Sequence, residues 1–147
     1  MNLKELHILL ADDDQDDCLF FKEAIEQFIP SANFKMVNDG EQLMHVLSNE
    51  TTNLPDILFL DINMPRKNGF ECLAEIKYNQ QLKNLAVVIF STQNTTDQIG
   101  VLLKLGADVY IRKPDNFAQL SQVIKHALPM AVEKKFSNGK LKYILNA

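Results

Sequence analysis

Residues 55–65 read PDILFLDINMP. Ile57 to Leu60 form an unbroken apolar run that stops at Asp61, the pattern of a strand buried on both faces with an acid at its carboxyl end. Four more short apolar runs flank it, at His7–Ala11, Phe34–Val37, Ala86–Phe90 and Val109–Ile111. The stretches between them have helical spacing. Cys18, Phe21, Ile25 and Phe28 follow i, i+3, i+7, i+10, and Phe117, Leu120, Ile124 and Ala127 repeat the same steps. Leu43, Val46 and Leu47 mark a shorter helix, Phe70, Leu73 and Ile76 another, and Ile99, Leu102 and Leu103 a fourth. Pro30 follows the first helix, Asn38-Asp39-Gly40 opens the second, and Gly106 stands where the fourth should end. Pro55 lies at the start of a strand, where its missing N–H costs least. Five strands alternating with five helices predict an α/β fold of (βα)5 order, a doubly wound five-stranded parallel sheet with helices on both faces.

Composition agrees with one ordinary globular unit. The chain has 147 residues, near the roughly 150 that one domain averages, with 46% apolar and 23% charged residues. Lys and Arg number 15 against 19 Asp and Glu, a net charge of −4. Such a chain is a poor non-specific binder of nucleic acid, because that binding depends on neutralising phosphates with Lys and Arg. Cys18 and Cys72 fall on helical segments and read as small reduced core residues rather than a disulfide. The opening MNLKELHILLADDD is unlike a secretory signal, and no stretch approaches the roughly 20 apolar residues of a membrane span. The expectation is a soluble cytoplasmic protein with no membrane contact. Residues 1–129 form the predicted domain, and residues 130–147 a tail too short to be a second one. That tail carries Lys134, Lys135, Lys140 and Lys142 against Glu133, with a turn signal at Asn138-Gly139. It reads as frayed, or else as a small hairpin or partner-binding appendage.

In an open parallel sheet, ligands bind beyond the carboxyl ends of the strands, where the strand order reverses. Asp12, Asp13 and Asp14 follow the first strand, Asp61 the third, Ser91 the fourth, and Lys113-Pro114 the fifth. With strand order 2-1-3-4-5, as in flavodoxin-like sheets, Asp12, Asp13 and Asp61 meet in one crevice flanked by Ser91 and Lys113. Two carboxylates about 5 Å apart repel by roughly 3 kcal/mol at an effective dielectric of 20. Either one of the three takes a proton or a cation sits among them. Oxygen ligands suit Mg²⁺ or Mn²⁺, and Lys113 supplies a positive charge opposite. A phosphoryl group fits between the two, with an aspartate oxygen as nucleophile.

ILLADDD, LFLDINMP, VIFST and YIRKP, in that order, resemble the motifs of the receiver domain of two-component response regulators, over roughly residues 5–128. NDGEQLMHVL, the long loop before Pro55 and NMPRKNGFECL are further similar to single-domain receivers that partner bacteriophytochromes and hybrid sensor kinases. The resemblance implies that Asp61 is the phosphoacceptor. It implies that Asp13 binds Mg²⁺ directly, Asp12 mainly through water, and Asn63 by its backbone carbonyl. Ser91 is then the hydroxyl that turns inward to a phosphoryl oxygen, Lys113 the lysine that pairs with the phosphate, and Tyr110 the switching aromatic. The resemblance also implies that the phosphorylated lifetime depends on the residues at Asn63 and Gln93 beside the site.

The implied function is transfer of a phosphoryl group from a sensor histidine kinase or phosphotransfer protein to Asp61. The chain then catalyses only its own phosphorylation and dephosphorylation. With no output domain expected after the fifth helix, output runs through protein contacts rather than DNA. Candidate contacts are homodimerisation on the face of the fourth helix, fifth strand and fifth helix, or docking to a kinase. Each residue also has a plainer reading: strand-end acids for Asp12 and Asp13, a turn hydroxyl for Ser91, a packed ring for Tyr110. Asp14, one residue beyond the acidic pair, keeps the plain reading of a solvated strand-end acid or a cap on the next helix. His7, His45 and His126 are dispersed and carry no catalytic assignment. An aspartyl-phosphate hydrolase resembling the haloacid dehalogenase family would need a second acid where Asn63 stands. A receiver-shaped module that is never phosphorylated would not need the acids, hydroxyl and lysine together.

Overall fold

The computed structural model describes residues 6–49, 53–92, 95–132 and 144–145. Strands β1 (His7–Ala11), β2 (Asn33–Val37), β3 (Ile57–Leu60), β4 (Ala86–Ser91) and β5 (Val109–Arg112) alternate with helices α1 (Gln15–Phe28), α2 (Gly40–Asn49), α3 (Gly69–Tyr78), α4 (Thr96–Leu105) and α5 (Phe117–Val132). All strand pairs are parallel and the first five strands lie in the order β2-β1-β3-β4-β5. The strand and helix order follows the hydrophobic pattern, with strand ends within one residue of the apolar runs.

Alternation along the strands divides the core into two layers. Ile8, Leu10, Phe59, Val88, Phe90 and Ile111 face α1 and α5. Leu9, Ala11, Leu58, Leu60, Val87, Ile89 and Tyr110 face α2, α3 and α4. Both faces of the central strands are therefore covered, which is why those strands read as unbroken apolar runs. On the first face Phe21 of α1 packs edge-on against Phe59 and Phe90, with ring centroids 4.8 and 5.4 Å away. This cluster fixes how α1 sits over the strand ends. Cys18 and Cys72 are buried free thiols, one in each layer.

Local signals end the elements where the chain needs turns. Asp14 caps α1 by accepting from the Asp17 N–H, and Asp39 accepts from the Gln42 N–H at the start of α2. Asn68 and Glu71 form a reciprocal capping box at α3. Gly106 ends α4 with φ of 102°, a left-handed conformation that a side chain would strain.

The carboxyl-terminal stretch departs from the expectation in two ways. Helix α5 runs through Val132, past the boundary expected at 129, and carries Pro129 inside its final turns at the loss of one ladder hydrogen bond. Residues 144–145 add a sixth strand, β6 (Ile144–Leu145), parallel to β5, with Tyr110 opposite Ile144 and Ile111 opposite Leu145. The edge of β5 offers unpaired backbone groups, and this short segment takes them. The tail is therefore in part a strand of the main sheet. The turn expected at Asn138-Gly139 lies outside the described residues, as do Gln93 and part of the loop before Pro55. Among the described residues no helix is long and apolar enough to cross a membrane.

Candidate functional site

Strand order reverses between β1 and β3, and the acids that close those strands meet there. Backbone hydrogen bonds continue the ladder past the strand ends and fix the register. The Asp61 N–H donates to Ala11 O at 2.9 Å, the Asp12 N–H to Val37 O at 3.0 Å, and the Lys113 N–H to Ser91 O at 2.8 Å. Asp12 and Asp61 are thus neighbours across one pair of strands, and Ser91 and Lys113 across another. Behind Asp61 the N-terminus of α3 approaches closely. A Cβ at Gly69 would stand 2.5 Å from the Asp61 carbonyl oxygen, so only glycine fits there.

One ammonium serves several carboxylates. Lys113 Nζ lies 2.8 Å from Asp12 Oδ2, 2.9 Å from Asp17 Oδ2 and 3.5 Å from Asp61 Oδ2. It also stands 5.7 Å from the centre of the Phe90 ring. Asp12 is fully buried and Asp61 only 4% exposed, whereas Asp13 is exposed. The Asp12–Lys113 contact is an ion pair outside hydrogen-bond geometry, which leaves Asp12 Oδ2 without a hydrogen bond. The other oxygen, Oδ1, accepts from the Asp14 N–H at 3.0 Å. The buried Ser91 Oγ is likewise unpartnered.

Burial raises the Asp12 pKa to about 7, outweighing the lowering by Lys113. Burial pulls the Lys113 pKa down, but pairing with Asp12, Asp61 and Asp17 outweighs that and holds it above the usual lysine range. The ammonium therefore stays charged. The crowding expected among the acids falls on Asp12, which carries a proton easily or gives it up to a cation. Burial, then the Asp12 charge, pushes the Cys18 thiol up to about 12, so it stays protonated and donates to Asp12 O at 3.4 Å.

Oxygens of Asp12, Asp13 and Asp61 lie within 4.8 Å of one another, the only such metal-compatible group among the described residues. Three carboxylates and no His or Cys suit a hard divalent ion with water in its remaining positions. The charge balance gives the same answer, since three carboxylates, two of them buried, face a single ammonium and the excess negative charge favours a cation. The chain's own residues fit a Mg²⁺ or Mn²⁺ ion. Asn63 stands on the exposed loop two residues past Asp61. That loop turns through Arg66, whose φ of 68° is the one left-handed non-glycine conformation among the described residues.

The structure thus brings Asp12, Asp13, Asp61, Ser91 and Lys113 to one end of the sheet. Tyr110 is 3% exposed and packs in the layer under α4, an inward position. Burial raises its pKa. Sequence reading missed Asp17, the nearest partner of Lys113 after Asp12. The run Asp16-Asp17 at the start of α1 was a signal, because helix phase turns one of two adjacent acids toward the strand ends. Asn38 was also missed; its side-chain amide donates to Asp12 O at 3.5 Å.

Comparison with known proteins follows the same lines. The chain matches the sequence model of the response regulator receiver domain over residues 8–125. It is 30% identical over 122 residues to the response regulator Rcp1 of Synechocystis sp., a match covering 80% of this chain and 83% of Rcp1. Among solved structures it resembles the phosphorylated cyanobacterial phytochrome response regulator RcpA, with a TM-score of 0.81 and 32% identity over 88% of this chain and 96% of RcpA. It also resembles the Mn²⁺-bound form of Rcp1, with a TM-score of 0.74 and 27% identity over 89% of this chain and 94% of that one.

Proposed function

We propose that this chain, which belongs to the response regulator receiver domain family of two-component systems, accepts a phosphoryl group on Asp61. Receiver domains bind a divalent metal ion and pair with histidine kinases or phosphotransfer proteins. The observation that carries the reading is the convergence of Asp61 with two further acids on one side and the Lys113 ammonium on the other. That arrangement neutralises the oxygens of an incoming phosphoryl group, and phosphoryl transfer depends mostly on positioning and charge neutralisation.

Asp12, Asp13 and Asp61 would hold Mg²⁺ or Mn²⁺, joined by the Asn63 backbone carbonyl; the clustering of the three acids supports the first part, and the Mn²⁺-bound form of Rcp1 supports a divalent ion. A bound ion supplies charge neutralisation at the phosphoryl oxygens. An Asp61 carboxylate oxygen attacks phosphorus while the N–P bond of a phosphohistidine breaks and its electron pair returns to the imidazole. Lys113 pairs with one phosphoryl oxygen. Ser91 Oγ, buried and unpartnered, is free to rotate and donate to another. Its movement alters the packing beside Tyr110 and so biases the surface of α4 and β5, where Val101 and Leu103 are exposed.

In this role the chain is not an enzyme acting on a separate substrate; it catalyses its own phosphorylation and dephosphorylation. It works in the cytoplasm, and the likeness to RcpA favours a phytochrome or hybrid sensor kinase as donor. Output runs through protein contacts, homodimerisation included, rather than through nucleic acid, in keeping with the acidic balance of the chain. Because β6 lies on the β5 edge, such contacts use side chains of α4 and α5 rather than open strand backbone. The test is transfer from a phosphohistidine-bearing donor in Mg²⁺. The wild-type chain should take up label, and Asp61→Asn should take up none; stoichiometric label on that variant would remove Asp61 from its role.

A further inference from the structure

Lys113 has two anchors besides the acceptor, and one of them has no part in holding a metal ion. Asp17 lies in the first turn of α1, 96 residues away in sequence, and its Oδ2 accepts a hydrogen bond from Lys113 Nζ at 2.9 Å. The contact to Asp61 is longer, at 3.5 Å. Nζ is therefore drawn toward α1 and away from the acceptor. Its side chain is 8% exposed, so little water is at hand to replace a lost partner, whereas Asp17 is 35% exposed and is easily rehydrated. That asymmetry makes Asp17 the partner Lys113 can leave at least cost.

We propose that Asp17 is a positioning residue that competes with the phosphoryl group on Asp61 for the Lys113 ammonium. Phosphorylation then frees the Asp17 carboxylate on the surface of α1. The proposal rests on the reading of Asp61 as phosphoacceptor. Asp17 and Asp61 accept hydrogen bonds from the ammonium, and Asp12 faces it as an ion pair, so three carboxylates already compete for one charge. A phosphoryl oxygen beside Asp61 brings more negative charge to the longest of these contacts. The partner released at least cost is the exposed one, Asp17. Asp17 also lines, with Lys113, Asp115 and the apolar Phe20, Phe117 and Leu120, a groove of about 210 Å³. Loss of its ammonium leaves the Asp17 carboxylate uncompensated in that groove, so the pairing of charges there changes with the state of the site.

Beryllofluoride with saturating Mg²⁺, added to the full chain, tests both levels. Saturable binding to the wild type is required by the reading of Asp61; its absence overturns that reading and this proposal with it. Given binding, Asp17→Asn should tighten beryllofluoride affinity by roughly two- to fivefold, the scale of a half-exposed ion pair. Asp17→Glu, which restores the carboxylate, should return it toward the wild-type value. Unchanged or weaker affinity in Asp17→Asn, with wild-type binding intact, overturns this proposal alone. In a Lys113→Ala background the effect of Asp17→Asn should vanish, and its persistence would mean that Asp17 acts through its field rather than through Lys113. In wild-type chain carrying ¹³C-labelled aspartate, the Asp17 carboxyl resonance should move on saturation. An Asp17 resonance that stays in place while that of Asp61 moves also overturns the proposal.

Discussion

At the amino end of the sheet Asp108 lies just ahead of β5, buried, with Oδ2 accepting the Val87 N–H at 2.9 Å and facing Lys77 Nζ at 3.5 Å. Lys77 also donates to Leu85 O at 3.0 Å and Lys83 O at 3.4 Å. At the carboxyl end Asp12 is buried against Lys113, but the ammonium is shared with Asp17 and Asp61, Asp13 adds its charge nearby, and Asp12 Oδ2 and Ser91 Oγ lack hydrogen bonds. The two ends bury the same residue pair. One pair is completed by backbone groups and ties α3, β4 and β5 together. The other is left short of partners, which is the condition for taking up a cation and an anion. Burial raises both aspartate pKa values, so perturbed titration alone does not tell a structural pair from a functional one. The state of hydrogen-bond satisfaction does.

The largest difference between the ends should appear in metal binding. Asp12→Asn combined with Asp13→Asn should weaken Mg²⁺ binding by on the order of a hundredfold, because two of three charged ligands are lost. Asp108→Asn should leave it unchanged, as isothermal titration would show. Stability should move the other way. Asp108→Ala strands the Val87 N–H and removes the carboxylate that faces Lys77, at a cost of about 2–3 kcal/mol, and thermal melting should fall by roughly 6–10 °C. Asp13→Asn relieves repulsion in the metal-free site and should raise the melting temperature by roughly 1–3 °C. Equal signs for the two substitutions would abolish the contrast.

Acidity gives a smaller effect with a definite sign. The Asp12 pKa is about 7 in the fold against an ordinary 3.8, so the folded state holds that proton more tightly than the unfolded chain. Its contribution to stability is full below pH ~4 and is lost as pH rises through about 7. Denaturation of the metal-free protein should show this decline, with a slope of at most about 1.4 kcal/mol per pH unit. Mg²⁺ should flatten it by compensating the carboxylate charge. The smallest change belongs to Ser91→Ala. Its hydroxyl bonds to nothing, so stability should stay within about 0.5 kcal/mol, while the Tyr110 resonances should no longer respond to phosphorylation.

Much of this was written in short-range pattern. The apolar runs ending in Asp61 and Asp12 gave strands and site together, because a buried parallel strand leaves its polar residues only at its ends. Asp14 and Gly106 announced caps by residue type alone. The missed features depend on contacts distant in sequence. Asp17 meets Lys113 only after α1 has packed against the strand ends through Phe21, and Asp108 meets Lys77 across the α3–β4 connection. Strand β6 is a pairing of two residues with an edge already formed, and two residues have no period to detect. Tyr110 illustrates a different limit: one side chain on a strand reads the same whether it packs or moves.

Mapping the phosphoryl group by mass spectrometry, after incubation with acetyl phosphate and Mg²⁺, probes the site most directly. The modification should reach one group per chain, reside on Asp61, and disappear when the divalent ion is chelated. A phosphoryl group found on Asp13 or another acid instead, or uptake indifferent to the metal, would contradict the account.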